Sequence, residues 1–240
     1  MRKSDFFERN ILNIFILLIG GFLLFAFLAP ILAALQFNDI SKVIYEIYSY
    51  LCHQRSWRSI HIFDYQLAFC VRDTFIYLSL LVSLIITKYT NVKQLKWYIA
   101  ILCVVPMALD GGIQTVAEVL TAGKNVVQFY KSNNLFRMIT GTIFGYGVGL
   151  WMWPMLKEGT TFVKKEIDIK INTAYLVGIL LIANLFVYIG MVTVWDLTSP
   201  TIKPTNIFDS TAKPRATNIG RCLRAEDSTN PKRIPVPGCE

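Results

Sequence analysis

The stretch that decides the fold is ILNIFILLIGGFLLFAFLAPILAAL, Ile11 through Leu35, which holds no charged side chain. A helix needs roughly 20 apolar residues to cross a bilayer, and this run is longer. It also exceeds the apolar core of about 7–15 residues in a secretory signal. Arg2-Lys3 before it and the small residues near Ala29–Ala34 would suit such a signal, but the length reads as a retained anchor. The composition leans the same way. Of 240 residues, 54% are apolar and 17% charged, with a mean hydropathy of +0.46. Soluble domains are typically about 45–50% apolar and about 25% charged. These figures exclude a soluble enzyme, a disordered protein and a DNA-binding domain; the net charge of +8 belongs to loops, not to a nucleic-acid surface.

Working outward from Ile11–Leu35, four more apolar runs are long enough to span: 67–87, 97–120, 135–156 and 173–195. The expectation is an all-α polytopic membrane protein with about five transmembrane helices over residues 1–195, followed by a tail, 196–240. Residues 1–10, 88–96 and 157–172 carry Arg2, Lys3, Arg9, Lys88, Lys93, Lys96, Lys157, Lys164, Lys165 and Lys170. Residues 36–66 and 121–134, with Arg137, carry fewer: Lys42, Arg55, Arg58, Lys124, Lys131 and Arg137. The denser loops belong inside, so the N-terminus is expected in and the tail out. The tail holds Pro200, Pro204, Pro214, Pro231, Pro235 and Pro237 and reads as irregular and exoplasmic. Cys222 and Cys239 would close a disulfide there, as an oxidising compartment permits. A short amphipathic piece at 40–51, with Ile40, Val43, Ile44, Ile47 and Leu51, is expected at the outer interface.

Ionisable residues inside spans are costly, and each requires a reason. Arg72 and Asp73 open the second span. Asp110, Gln114 and Glu118 recur every fourth residue on one stripe of the third. Asn133, Asn134, Arg137, Thr140 and Gly141 open the fourth. The loop before the second span supplies Cys52, His53, Gln54, Arg55 and Arg58, and Cys70 lies at its start. In the expected topology all of them fall in the outer half of the membrane. They predict one polar cavity, open to the outside, lined by the second to fourth spans. Pro106 and Gly111-Gly112 predict a kink or break beside Asp110. Gly141, Gly145 and Gly149 form a small-residue ridge for close helix packing.

Cys52-His53-Gln54-Arg55-Ser56 with Arg58-Ser59, then Cys70-Val71-Arg72, Tyr77, Pro106, Asp110-Gly111, Gln114, Asn134, Arg137, Thr140 and Gly141 resemble the domain of unknown function 2085 family. Its members are predicted integral membrane proteins of prokaryotes, which implies the prokaryotic cytoplasmic membrane. The resemblance covers about residues 45–150 and implies no activity. The family's second block reads Cys-x-Arg-Cys with a glycine soon after; here Asp73 and Phe75 stand at the second cysteine and the glycine. Asp73 can ligate a metal as a carboxylate but not as a thiolate.

Three chemistries follow from these residues. Cys52, His53, Cys70 and Asp73 are acceptable zinc ligands; the alternatives are a Cys52–Cys70 disulfide or free thiols. Arg55, Arg58, Arg72 and Arg137, with Gln54, Gln114, Asn134 and Thr140, suit capture of an anionic or polyprenyl-type lipid headgroup, because a guanidinium matches phosphate bidentately. The alternative is internal pairing with Asp64, Asp73, Asp110 or Glu118. His53 and Asp110 are the candidate proton-handling pair of an enzyme, although whether the chain is an enzyme stays open. His61, between Ile60 and Ile62, reads as a surface or interface residue. No phosphate loop, dinucleotide fingerprint, haem-attachment motif or serine-hydrolase elbow occurs, so no redox cofactor is expected. Three roles remain: a protein that binds or processes an anionic lipid, a non-catalytic subunit docking on a membrane partner through its tail, or a small transport or ion-binding component.

Overall fold

The computed structural model describes residues 3–52, 54, 58–90, 92–121, 130, 132–158 and 173–199. Among the described residues six helices dominate: α1 (Lys3–Ala34), α2 (Asn38–Ser49), α3 (Val71–Tyr89), α4 (Trp97–Thr121), α5 (Asn134–Glu158) and α6 (Thr173–Thr198). A short hairpin, β1 (His61–Ile62) and β2 (Tyr65–Gln66), lies between α2 and α3. Each of the five apolar runs is helical over most of its length, the second only from Val71, since residues 67–70 are extended or bent. Three helices are long and apolar enough to cross a membrane, over Asn10–Ala34, Trp97–Ala117 and Leu176–Thr198, and few residues of these stretches are buried.

The most extensive packing is between α3 and α5. Glycine makes it possible. A Cβ on Gly141 would lie 2.6 Å from the Arg72 carbonyl oxygen, and one on Gly145 would lie 2.6 Å from the Ile76 carbonyl oxygen. At Gly149 the obstacle is the Ser83 hydroxyl, 2.0 Å away. The ridge expected from the sequence therefore faces α3 along its whole length. Gly147 points elsewhere and lets α4 approach, its virtual Cβ falling 2.3 Å from the Cys103 Cβ. Small residues allow the dispersion-dominated contact on which helix association in lipid depends.

Backbone groups where α3 ends and α5 approaches its own C-terminus are satisfied from neighbouring segments. Pro154 has no N–H, which frees the Leu150 carbonyl one turn earlier. The Leu95 N–H donates to that carbonyl at 3.1 Å, and the Gln94 side chain donates to the Trp151 carbonyl at 3.2 Å. The Lys157 ammonium donates to the Thr87 and Thr90 carbonyls at 2.7 and 3.0 Å, where α3 ends. A cation there complements the unpaired carbonyls of a helix C-terminus. Pro106 does not break α4, which runs unbroken from Trp97 through Gly111 and Gly112 to Thr121. One lost hydrogen bond is too little to end a helix whose remaining bonds have no water to compete with them.

Near the start of α3, Phe22 of α1 stacks with Tyr48 of α2 and meets Phe69 and Tyr77 edge-on. Helix α2 presents Ile40, Val43 and Ile47 outward, with Leu51 exposed just beyond its end, and buries Ser41, Ile44, Tyr45 and Tyr48. Ile44, grouped with the outward stripe in the sequence reading, is thus on the opposite face. The hairpin turns through Phe63 and Asp64, both at positive φ (54° and 65°), as a two-residue hairpin turn requires. The backbone N–H groups of Phe63 and Asp64 donate to the Thr198 and Ser199 hydroxyls, which fastens the turn to the end of α6.

Candidate functional site

Helix α3 begins with Cys70 as its N-cap, so Arg72 and Asp73 occupy its first turn. Arg72 reaches across to α4 and forms an ion pair with Asp110. Gly111 leaves the room for it: a Cβ there would stand 2.9 Å from the Arg72 Nη1. The second oxygen of Asp110 accepts a 2.6 Å hydrogen bond from the Tyr130 hydroxyl. Asp110 thus serves as the buried counter-ion of Arg72, the internal pairing that the sequence left as an alternative. Arg72 is correspondingly engaged within the protein.

Arg137, in the first turn of α5, is 1% exposed. Its Nη1 donates to the Asn134 side-chain oxygen at 2.7 Å, and its Nη2 donates at 3.5 Å to Gln114 of α4. Both partners are neutral, and its buried Nε has none. The Thr140 hydroxyl, by contrast, donates to the Phe136 carbonyl of its own helix at 2.9 Å. Arg72, Asp110, Gln114, Asn134 and Arg137 therefore form one polar centre where α3, α4 and α5 meet.

A second centre lies at the N-cap of α3. Cys52, Cys70 and Asp73 bring two sulfurs and a carboxylate oxygen within 4.8 Å of one another. The Cys70 thiol donates to Asp73 at 3.2 Å, and the Cys70 N–H donates to the Cys52 sulfur at 3.3 Å. Both thiols are free, with no bond between them. The Cys70 side chain holds the Cys52 thiol below its ordinary range, against the opposing effect of burial.

The other sequence candidates are placed differently. The Gln54 amide donates to the Tyr45 carbonyl at 2.7 Å, while its backbone carbonyl accepts from Gln66 at 3.1 Å, so it clamps the loop to α2 and β2. Arg58 is half-buried in the same loop. His61 is fully buried rather than superficial, its ring 4.9 Å from that of Trp195. Burial lowers its pKa to about 4, which keeps it neutral. His53, Arg55, the disulfide candidates Cys222 and Cys239, and the tail from 200 onward lie outside the described residues, as does the side chain of Glu118.

Two polar groups escaped the sequence reading. Tyr130 carried no local signal and is brought to Asp110 only by the fold. Asn184 did carry one, as the lone amide in the apolar run 173–195. It donates to the Tyr146 hydroxyl at 2.7 Å and ties α6 to α5.

Comparison with known proteins agrees with the membrane reading. Residues 52–151 match a family described as predicted membrane protein, domain of unknown function 2085. An uncharacterized protein of Methanocaldococcus jannaschii is 34% identical over 159 residues, covering 60% of this chain and 93% of that protein. No solved structure matches the chain.

Proposed function

We propose that this chain, which belongs to the domain of unknown function 2085 family of membrane proteins, binds an anionic group, a lipid headgroup phosphate, at Arg137. The observation that carries this reading is the environment of that guanidinium. It is 1% exposed, its Nε is unpartnered, and its two hydrogen bonds go to neutral amides. Among the described residues it makes no ion pair. A buried cation without a counter-ion is expensive. An incoming phosphate supplies both the missing charge and the acceptors that a guanidinium fork matches.

The setting favours a lipid as the source. In this reading all five long helices span. Helices α3 and α5 escape a plain hydropathy criterion because glycine, hydroxyl and charged residues line their mutual contact, while α1, α4 and α6 face the lipid. The basic loops place the N-terminus inside, so the Arg137 centre lies in the outer half. The outward apolar stripe of α2 (Ile40, Val43 and Ile47), with Leu51 just after it, then rests on the outer interface.

The test uses the purified chain in nanodiscs of phosphatidylcholine, with and without phosphatidylglycerol, compared by thermal unfolding. Anionic lipid raises the midpoint for the wild type and not for Arg137→Gln. Inorganic phosphate added in detergent separates a headgroup from a free anion: stabilisation by phosphate alone assigns a soluble ligand. Equal midpoints in both bilayers, with no effect of phosphate, overturn the reading.

A further inference from the structure

We infer that Cys52, Cys70 and Asp73 bind a zinc ion at the outer end of α3, at a site separate from the Arg137 centre. Four features support it.

The first is geometry. Tetrahedral zinc with thiolate bonds near 2.3 Å sets its ligand atoms about 3.7 Å apart. The three candidate atoms already lie within 4.8 Å of one another, and the Cys70 sulfur and an Asp73 oxygen are 3.2 Å apart. Closing the set brings the farthest of these atoms about 1 Å nearer to one another.

The second is the frame that holds the ligands. Cys70 and Asp73 are three residues apart across the start of one helix and share a face. Cys52 is anchored by its own N–H donating to the Tyr48 carbonyl at 2.9 Å, and it is 6% exposed in a packed cluster with Ala26, Tyr45 and Phe69. The Cys70 N–H pointing at the Cys52 sulfur is the outer-shell donor that metal thiolates commonly receive.

The third is the carboxylate. The hydrogen-bond partner seen for the half-buried Asp73 side chain is a thiol, a weak donor that compensates a carboxylate poorly. A cation improves on it.

The fourth is charge. One zinc ion replaces two thiol protons, which leave to solvent, so the net charge of the site is the same before and after binding. Two thiolates and one carboxylate select a borderline-soft divalent cation over magnesium or calcium. Among the described residues the site offers three protein ligands, short of the four that close a tetrahedral zinc site.

The experiment loads the reduced, full-length chain in mild detergent with zinc, washes it with a weak chelator and measures bound metal. Cobalt(II) is then used as a spectroscopic probe. The wild type retains about one zinc per chain, and its cobalt form shows sulfur-to-metal charge-transfer absorption with the intense visible bands of a tetrahedral site. Cys52→Ser and Cys70→Ser each lose the metal. Asp73→Asn, which preserves shape at the helix start, binds it more weakly.

Cys103→Ser and the double variant Cys222→Ser/Cys239→Ser keep it, which excludes the remaining thiols. Arg137→Gln also keeps it, so this inference and the anion site stand or fall separately. Absence of thiolate–cobalt bands in the wild type overturns the assignment. So does metal retained by both Cys52→Ser and Cys70→Ser, or a Cys52–Cys70 disulfide that persists under the reducing conditions used.

Discussion

Substituting Gly145 with alanine tests the central packing most directly. The added Cβ would stand 2.6 Å from the Ile76 carbonyl oxygen and 2.6 Å from the Ser79 Cβ. Ordinary contact begins near 3.4 Å, so α3 and α5 must separate by about 0.8 Å at this level. Rotation of α5 gives no relief, because two residues on Gly147 is already closed against Cys103. Overpacking of this kind costs about 1–3 kcal/mol. Alanine also improves on glycine in a helix by about 1 kcal/mol, which partly masks the loss.

Gly178→Ala isolates the steric part, since nothing lies within 4 Å of a Cβ at that position in α6. The two variants share the propensity gain, and their difference is the packing cost. Reversible unfolding in mixed micelles, titrated with sodium dodecyl sulfate and followed by helix circular dichroism, reads both. Gly145→Ala is expected about 1–3 kcal/mol less stable than Gly178→Ala. Trimming Ser79 gives little rescue, because the Ile76 carbonyl belongs to the backbone. If the two variants unfold within about 0.5 kcal/mol of each other, the α3–α5 interface is not where the structure puts it.

Two further outcomes can be checked in the same micelles. Asp110→Asn strands the Arg72 guanidinium and should cost about 3–5 kcal/mol, whereas Arg72→Met combined with Asp110→Leu should cost less than the single change; a single-variant loss under about 1 kcal/mol would show that water reaches the pair. His61 is held neutral, with its pKa at about 4 against an unfolded value near 6.5. Below pH 6.5 the unfolded chain binds the proton first, so stability falls as pH drops from about 6.5 to about 4, by about 3 kcal/mol in all. Trp195 fluorescence reports the change locally because its ring lies against His61, and His61→Gln should flatten that pH dependence.

The five long helices were legible as helices because each run is long and mostly apolar, although only α1, α4 and α6 are long and apolar enough to cross a membrane. The glycine ridge was legible too, since Gly141, Gly145 and Gly149 can share one face at helical spacing and nothing but close approach accounts for them there. Pairing was not legible. Arg72 and Asp110 are 38 residues apart, and Asp73, Asp64 and Glu118 were equally good partners on paper. His61 was misread because alternation with Ile60 and Ile62 looks like one wet and one dry face, whereas the hairpin turns His61 inward onto Trp195. The misplacement of Ile44 has a general cause. In water an apolar stripe points inward, but at a bilayer it can equally point to lipid, so periodicity groups residues without saying which way the group faces.

That ambiguity is why charge, not hydropathy, locates the candidate centre. Asp110 offers two oxygens; one is taken by Arg72 and the other by Tyr130. Had Asp110 served both arginines, the Arg137 fork would have turned toward it, yet Arg137 bonds Asn134 and Gln114. Amide oxygens satisfy donors but carry no charge, so this centre keeps one positive charge uncompensated among the described residues. A centre built only to hold α4 and α5 together has no use for that charge, since a methionine or leucine would pack there without the desolvation penalty. Retaining a guanidinium, and flanking it with amides that orient the fork without neutralising it, makes physical sense where the counter-ion comes from outside this centre.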